Sequence, residues 1–199
     1  MAELLQSFLL IEFNWSILET IAVILSLLYV YLAAHQNNLC WLAAVISVSL
    51  YIYICFNAKL YAETILQVFY FLMATYGFYS WKKNNSQLQT STWPIKKHLF
   101  IILLGTVLTF FLGFIFSNFT DAKMPLVDSF TTVFSVFATF MVVKKILSNW
   151  LYFIIIDIIS AYLYFSRDLH LTSLLFLLYT FIAIAGFIKW NRISTQIND

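Results

Sequence analysis

The sequence predicts an all-α membrane protein of seven transmembrane helices. Three observations lead there. Its 199 residues are 62% hydrophobic and 20% aromatic but only 10% charged, where soluble domains run near 25% charged. The apolar residues gather into seven runs, each close to the 17–25 residues that cross a bilayer as a helix. A shift of 109 residues, the separation of Trp81 from Trp190, lays one set of three runs on another.

In chain order, residues 1–16 are an N-terminal segment, apolar but interrupted by Glu3 and Glu12. An interfacial helix over 1–14 suits that pattern. With no basic stretch ahead of it, the segment does not read as a cleavable signal. The spans follow at 17–34, 39–57, 62–81, 98–117, 126–143, 147–165 and 170–189. Two prolines and four glycines leave few breaks within them. Residues 17–81 form a first three-helix bundle and 126–190 a second. Between them lie a polar linker (82–97, rich in Asn, Gln, Ser and Thr and holding Pro94) and a connecting helix with its loop (98–125). Residues 191–199 are a tail.

Lysine and arginine set the orientation. With the N-terminus outside, Lys82, Lys83, Lys96, Lys97, Lys144, Lys145, Lys189 and Arg192 lie inside; only Lys59, Lys123 and Arg167 lie outside. The expected topology is N-terminus out, C-terminus and linker in the cytoplasm.

The repeat needs no gap. It pairs Trp41 with Trp150, Tyr53 with Tyr162, Phe56 with Phe165, Tyr70 with Tyr179, Ala74 with Ala183, Gly77 with Gly186, Ser26 with Ser135 and Glu19 with Asp128. The two units are four crossings apart, so they point the same way. This is the parallel 3+1+3 arrangement of sugar-transporter-like (SWEET-like) proteins, whose sites lie near the midplane between repeats.

The run from Asn149 to Phe165 is apolar enough for lipid yet has Asp157 at its middle. A carboxylate there costs about 2.5–3.5 kcal/mol on insertion scales. At helical spacing Trp150, Phe153, Asp157, Ser160 and Tyr164 share one face. One acid ringed by aromatics suits a flat organic cation. In the other half, Gln67 and Tyr70 share a face with Glu63, Ala74, Gly77 and Trp81. The halves differ at these points: Asp157 aligns with Val48, and Gln67 with Phe176. Span five adds Thr131, Thr132, Ser135 and Thr139, although helix hydroxyls often bond back to their own backbone.

Each feature has a plainer reading. Asp157 as a purely structural acid is set against the rule that intramembrane acids mark pathways. Gln67 also suits a helix-bridging amide. Trp41, Trp81, Trp93 and Trp190 sit near span ends and read as aromatic-belt residues. Glu19 and Asp128 read as helix N-terminal acids, and Tyr179 as core or interface packing first, with lining the cavity as the lesser alternative. Cys40 and Cys55 read as small buried hydrophobes.

Enzyme templates are missing: there is no HExxH, no GxSxG and no Gly-rich phosphate loop. His35, His98 and His170 fall in or near loops on different sides, so neither a metal site nor a cofactor is expected. A net charge of +2 implies no nucleic-acid partner. A retinal Schiff base needs a mid-membrane lysine, and every lysine lies at a span end or in a loop.

Several runs are similar to the PnuC family of bacterial vitamin transporters. They are Asn149-Trp150 leading into Asp157-Ile158-Ile159-Ser160, Leu66-Gln67-Val68-Phe69, Tyr76-Gly77-Phe78-Tyr79-Ser80-Trp81, and Asp128-Ser129 with Ser135. The resemblance spans residues 17–190. It implies a seven-helix 3+1+3 fold, a homotrimer in the bacterial inner membrane, and facilitated uptake of a small cationic vitamin trapped inside by phosphorylation. Carried over by position, the family's pocket points to Gln67, Trp150, Phe153 and Asp157. The riboside carriers of the family show NWxxW followed by an asparagine; here Phe153 and Asp157 stand at the second Trp and the Asn. Those departures make thiamine, as in the PnuT-type relatives, the first expected substrate and nicotinamide riboside the alternative. A ligand-sensing membrane receptor is the reading from a different class.

Overall fold

The computed structural model describes residues 17–57, 61–83, 90–120, 122–167 and 169–198. The expected interfacial helix, Lys59 and residues 84–89 of the polar linker lie outside them. Seven helices make up the described chain: α1 (Ile17–Ala34), α2 (Leu39–Asn57), α3 (Tyr61–Lys83), α4 (Ile95–Phe119), α5 (Pro125–Val143), α6 (Asn149–Phe165) and α7 (His170–Asn198). Each expected span falls on one helix. Five of them are long and apolar enough to cross a membrane. The other two are α6, an apolar helix of 17 residues, and α3, which mixes Glu63, Gln67, Lys82 and Lys83 with its apolar residues. The segment expected as a tail continues the last helix through Asn198.

Element boundaries follow local chemistry. Pro94, with φ −65° and ψ 150°, precedes α4, where its fixed φ suits a helix start and its missing N–H is not needed. Pro125 opens α5 in the same way. Glu19 and Asp128 lie in the first turns of α1 and α5, where a carboxylate meets the positive end of the helix dipole.

The packing is a 3+1+3 parallel repeat. In one bundle α2 packs between α1 and α3; in the other α6 packs between α5 and α7, and α4 lies against α5. Across the bundles α1 meets α7 and α3 meets α5. The repeat converts one of these cross-bundle contacts into the other, so the halves are related by a pseudo-two-fold axis.

The α1–α2 and α5–α6 turns match bond for bond. Gln36 and Lys145, 109 positions apart, both adopt positive φ, at 51° and 53°. Gln36 N–H donates to Ala33 O and Asn37 N–H to Leu32 O, at 2.9 and 3.0 Å. Lys145 N–H donates to Val142 O and Ile146 N–H to Met141 O, both at 2.9 Å. These are paired Schellman caps. A non-glycine residue holds the left-handed position in each, which costs about 1 kcal/mol.

Beyond each turn an indole sits on a glycine. A Cβ added to Gly77 would lie 2.5 Å from the Trp41 ring, and one added to Gly186 would lie 2.8 Å from the Trp150 ring. Only glycine lets those rings approach the α3 and α7 backbones. Trp41 then meets Trp81 edge-on with centroids 5.2 Å apart, Trp150 meets Trp190 edge-on at 5.4 Å, and Trp81 contacts Trp190 at 6.2 Å. The four indoles join the halves at one end of the molecule. Trp41, Trp81 and Trp190 are therefore not belt residues: they are 1%, 4% and 0% exposed. An indole near a helix end looks the same in sequence whether it faces lipid or a neighbouring helix. Here the glycines draw it inward. Trp93 is half-buried, with the Lys97 ammonium 5.5 Å from its ring.

Candidate functional site

Asp157 sits two turns into α6 and is 6% exposed. The opposite face of α6 is open: Leu151, Ile155, Ile158 and Tyr162 are 45–62% exposed. The carboxylate thus turns away from the membrane-facing surface and into the protein. Among the described residues no side chain forms an ion pair with it; the ion pair found there is Arg167–Asp128 at 2.5 Å, at the far end of α5 and α6.

Phenols from both bundles surround the acid. Tyr70 of α3 and Tyr179 of α7 both lie within electrostatic reach of Asp157. Each meets a serine of the opposite bundle: Tyr179 shares a 2.5 Å hydrogen bond with Ser26 of α1, and Tyr70 lies beside Ser135 of α5. The repeat exchanges these two pairs, so the cross-bundle seam is pseudo-symmetric down to its hydroxyls. Tyr51 of α2 also lies beside Ser26, and near Tyr164 of α6. One acid therefore stands in a frame of four phenols and two serines drawn from six helices.

Of the residues singled out in the sequence, Tyr70, Ser135, Asp157 and Tyr164 come together here. Ser160 is buried one turn beyond Asp157. Gln67 is half-buried on α3, one turn before Tyr70. Tyr164 stacks on Phe176 with centroids 5.2 Å apart and planes at 11°. Phe153 packs against both hydrophobic clusters of the core. Thr131 bonds back to Val127 O and Asp128 O, at 3.1 and 3.0 Å. Trp150 is 2% exposed beneath Gly186 and Trp190, at the tryptophan end of the molecule. Ser26, Tyr51 and Tyr179 are the members not picked out from sequence. The repeat held the signal for two of them, since Tyr179 is the counterpart of Tyr70 and Ser26 of Ser135.

The two ends differ in charge. At the tryptophan end, Trp81 Nε1 donates to Val143 O at 3.0 Å, the Lys145 ammonium lies 4.9 Å from the Trp81 ring, and Lys144 donates to the Tyr76 hydroxyl at 2.6 Å. Burial holds the Lys145 ammonium below the usual lysine range. Ser91 bridges Lys145 O and Leu147 N–H at 2.9 and 2.8 Å, tying the chain ahead of α4 to the α5–α6 turn. At the other end Glu63 lies near Cys55 and Tyr164, and Glu19 near Tyr51. A groove of about 340 Å³ between α4 and α5, lined by Gly113, Ser117 and Met124 to Val127, shares no residue with the Asp157 cluster.

Residues 16–192 match the family described as nicotinamide mononucleotide transporter. The chain is 28% identical over 207 aligned positions to the nicotinamide riboside transporter PnuC of Escherichia coli (strain K12), covering 90% of this chain and 86% of that protein. It is 22% identical over 192 positions to the nicotinamide riboside transporter PnuC of Neisseria mucosa, covering 88% and 72%. A crystal structure of the vitamin B3 transporter PnuC superposes with a TM-score of 0.74 at 21% identity, over 96% of this chain and 88% of the other.

Proposed function

The chain belongs to the nicotinamide mononucleotide transporter family, a family of multi-pass membrane transporters, and from that premise we propose that it carries nicotinamide riboside into the cell. The observation behind this reading is Asp157: a buried carboxylate among phenols, with no cationic partner among the described residues. A pyridinium riboside supplies the missing positive charge; Tyr70 and Tyr164 offer rings and hydroxyls to stack on it and bond its sugar, and Tyr179 offers its ring. The same acid argues against the mononucleotide, whose phosphate carries up to two negative charges. Among the described residues no lysine or arginine forms an ion pair with Asp157, and the carboxylate itself would repel that phosphate.

Gln67, one turn from Tyr70, reads the carboxamide, since an amide both donates and accepts. Trp150 and Phe153 support the α6 face; Ser135 and Ser160 complete its polar lining, and Thr131 adds a hydroxyl nearer the acidic end. The bundle boundaries at 17–81 and 126–190 define the bodies that rock around the site. The carrier works as a homotrimer in the bacterial inner membrane, with the acidic end and N-terminus outside and the basic end in the cytoplasm. Uptake is facilitated diffusion, drawn onward by phosphorylation of the riboside. Thiamine, the first expectation from sequence, takes second place: the relatives are riboside transporters by name, while Asp157 and Phe153 remain the residues that favour thiamine.

Labelled nicotinamide riboside and purified protein in liposomes test this. Protein-dependent counterflow, inhibited by unlabelled riboside more strongly than by thiamine, is the expected result. Stronger inhibition by thiamine reverses the substrate order. Binding without flux makes the protein a receptor.

A further inference from the structure

We propose that the chain ahead of α4 is a latch across the tryptophan end, and that the carrier opens there only when Thr90 releases Gln36. This rests on the transport reading above, in which two bundles rock around a central site. Consecutive residues of the segment grip the two counterpart turns. Thr90 Oγ1 accepts a hydrogen bond from Gln36 Nε2 at 3.0 Å, in the α1–α2 turn. Ser91 N–H donates to Lys145 O and Leu147 N–H donates to Ser91 O, at 2.9 and 2.8 Å, in the α5–α6 turn. Gln36 and Lys145 are the two positions that the repeat exchanges, each at positive φ. The segment therefore spans the pseudo-two-fold axis where the four indoles join the halves.

The grip is uneven. Beyond Ser91 the segment is fixed to the second bundle again. Trp93 packs against His98 with centroids 6.1 Å apart, and His98 meets the Tyr152 hydroxyl through Nδ1 at 3.1 Å and Ser148 Oγ through Nε2 at 3.2 Å. Among the described residues, the hydrogen bond that ties it to the first bundle is Gln36–Thr90. That amide is half satisfied: Gln36 is 8% exposed, and its Oε1 is buried with no hydrogen-bond partner among the described residues. A buried orphan acceptor is costly, and opening gives it water, which offsets the bond that is lost. Glycine would hold the left-handed position more easily; a glutamine there supplies the side chain that the latch needs. Trp81 and Tyr76 of α3 tie the rest of the first bundle to the α5–α6 turn, through Val143 O and Lys144. Opening breaks these contacts with the latch and leaves those of Ser91 and His98 whole.

Full-length protein in liposomes tests the latch. On a Cys40→Ala, Cys55→Ala background, Gln36→Cys and Thr90→Cys are joined by a short, reducible bis-methanethiosulfonate. Counterflow of labelled nicotinamide riboside should fall at least about tenfold, as when a gating motion is blocked, and return on reduction. Riboside binding to the cross-linked protein should persist, because the acidic end stays free to open. Full flux with the cross-link in place overturns the latch, and so does loss of binding together with flux. A second measurement needs no cross-link. Cys40 is buried in the cluster that holds Trp41, Trp81, Val143 and Trp190, where the bundles join. In Thr90→Val, alkylation of Cys40 by N-ethylmaleimide should run severalfold faster than in the unaltered protein; an equal rate overturns the latch. If the unaltered protein neither binds nor moves the riboside, the substrate reading fails, and the Cys40 rates still decide the latch.

Discussion

In the first bundle Trp41 rests on Gly77, and in the second Trp150 rests on Gly186. Gln36 and Lys145 close the preceding turns with the same caps. Ser26 and Ser135 reach across to Tyr179 and Tyr70. At the centre the likeness stops: Val48 occupies in α2 the place of Asp157 in α6, Gln67 faces a Phe176 counterpart, and Tyr51 stands where the second half has Ser160. Repeated positions build the frame, and on the proposed function the positions that break the repeat would hold the chemistry. A ligand that is itself asymmetric, with a charged ring at one end and a sugar at the other, needs such a break.

The largest effect should come from the sharpest break. Asp157→Asn leaves the shape nearly intact but removes one member of a buried charge pair, a loss of about 2 kcal/mol or more. The dissociation constant for nicotinamide riboside should rise by at least about thirtyfold, and that for the neutral dihydro-riboside should change little. A titration of both ligands checks this. Equal losses would make Asp157 part of the frame after all.

The frame is tested in pairs. Gly77→Ala and Gly186→Ala each push a methyl group against an indole, and overpacking of this kind costs about 1–3 kcal/mol. Thermal unfolding in detergent should show both variants destabilised, by similar amounts. A loss in one half alone would mean that the bundles do not bear load equally.

Gln67 is a break of smaller weight. Gln67→Ala should weaken riboside binding by roughly fivefold to tenfold, the worth of a neutral hydrogen bond of about 1 kcal/mol, without altering the elution profile of the assembled protein. A changed profile would assign Gln67 to helix bridging.

Much of this was open to reading in the sequence because lipid simplifies the problem. A span must be apolar for its full length, so the helices stand out, and a lone Asp157 among isoleucines announces itself. The gapless shift of 109 residues foretold the pairing of the bundles. What escaped was direction. Trp41, Trp81 and Trp190 looked like belt residues because distance from a helix end says nothing of which way a ring turns. Tyr179 looked like packing although its counterpart Tyr70 was already a candidate; applying the repeat to the site as well as to the scaffold would have named it, and Ser26 with it. Tyr51 has no counterpart, since position 160 is a serine, and only the folded chain brings it to Ser26.

The smallest expected difference is also the most direct measure of the pseudo-symmetry. Tyr179→Phe removes one cross-bundle hydroxyl bond and Tyr70→Phe the hydroxyl beside Ser135 at the counterpart position, each worth about 1 kcal/mol or less in net stability. The frame alone predicts equal losses on unfolding. Binding should separate them: Tyr70 shares α3 with Gln67, whereas Tyr179 sits among Phe176, Tyr51 and Ser26. Tyr70→Phe should therefore weaken riboside binding severalfold while Tyr179→Phe changes it less than twofold. If both variants lose affinity alike, the ligand lies on the pseudo-two-fold axis itself, and the asymmetry of the site comes from Asp157 alone.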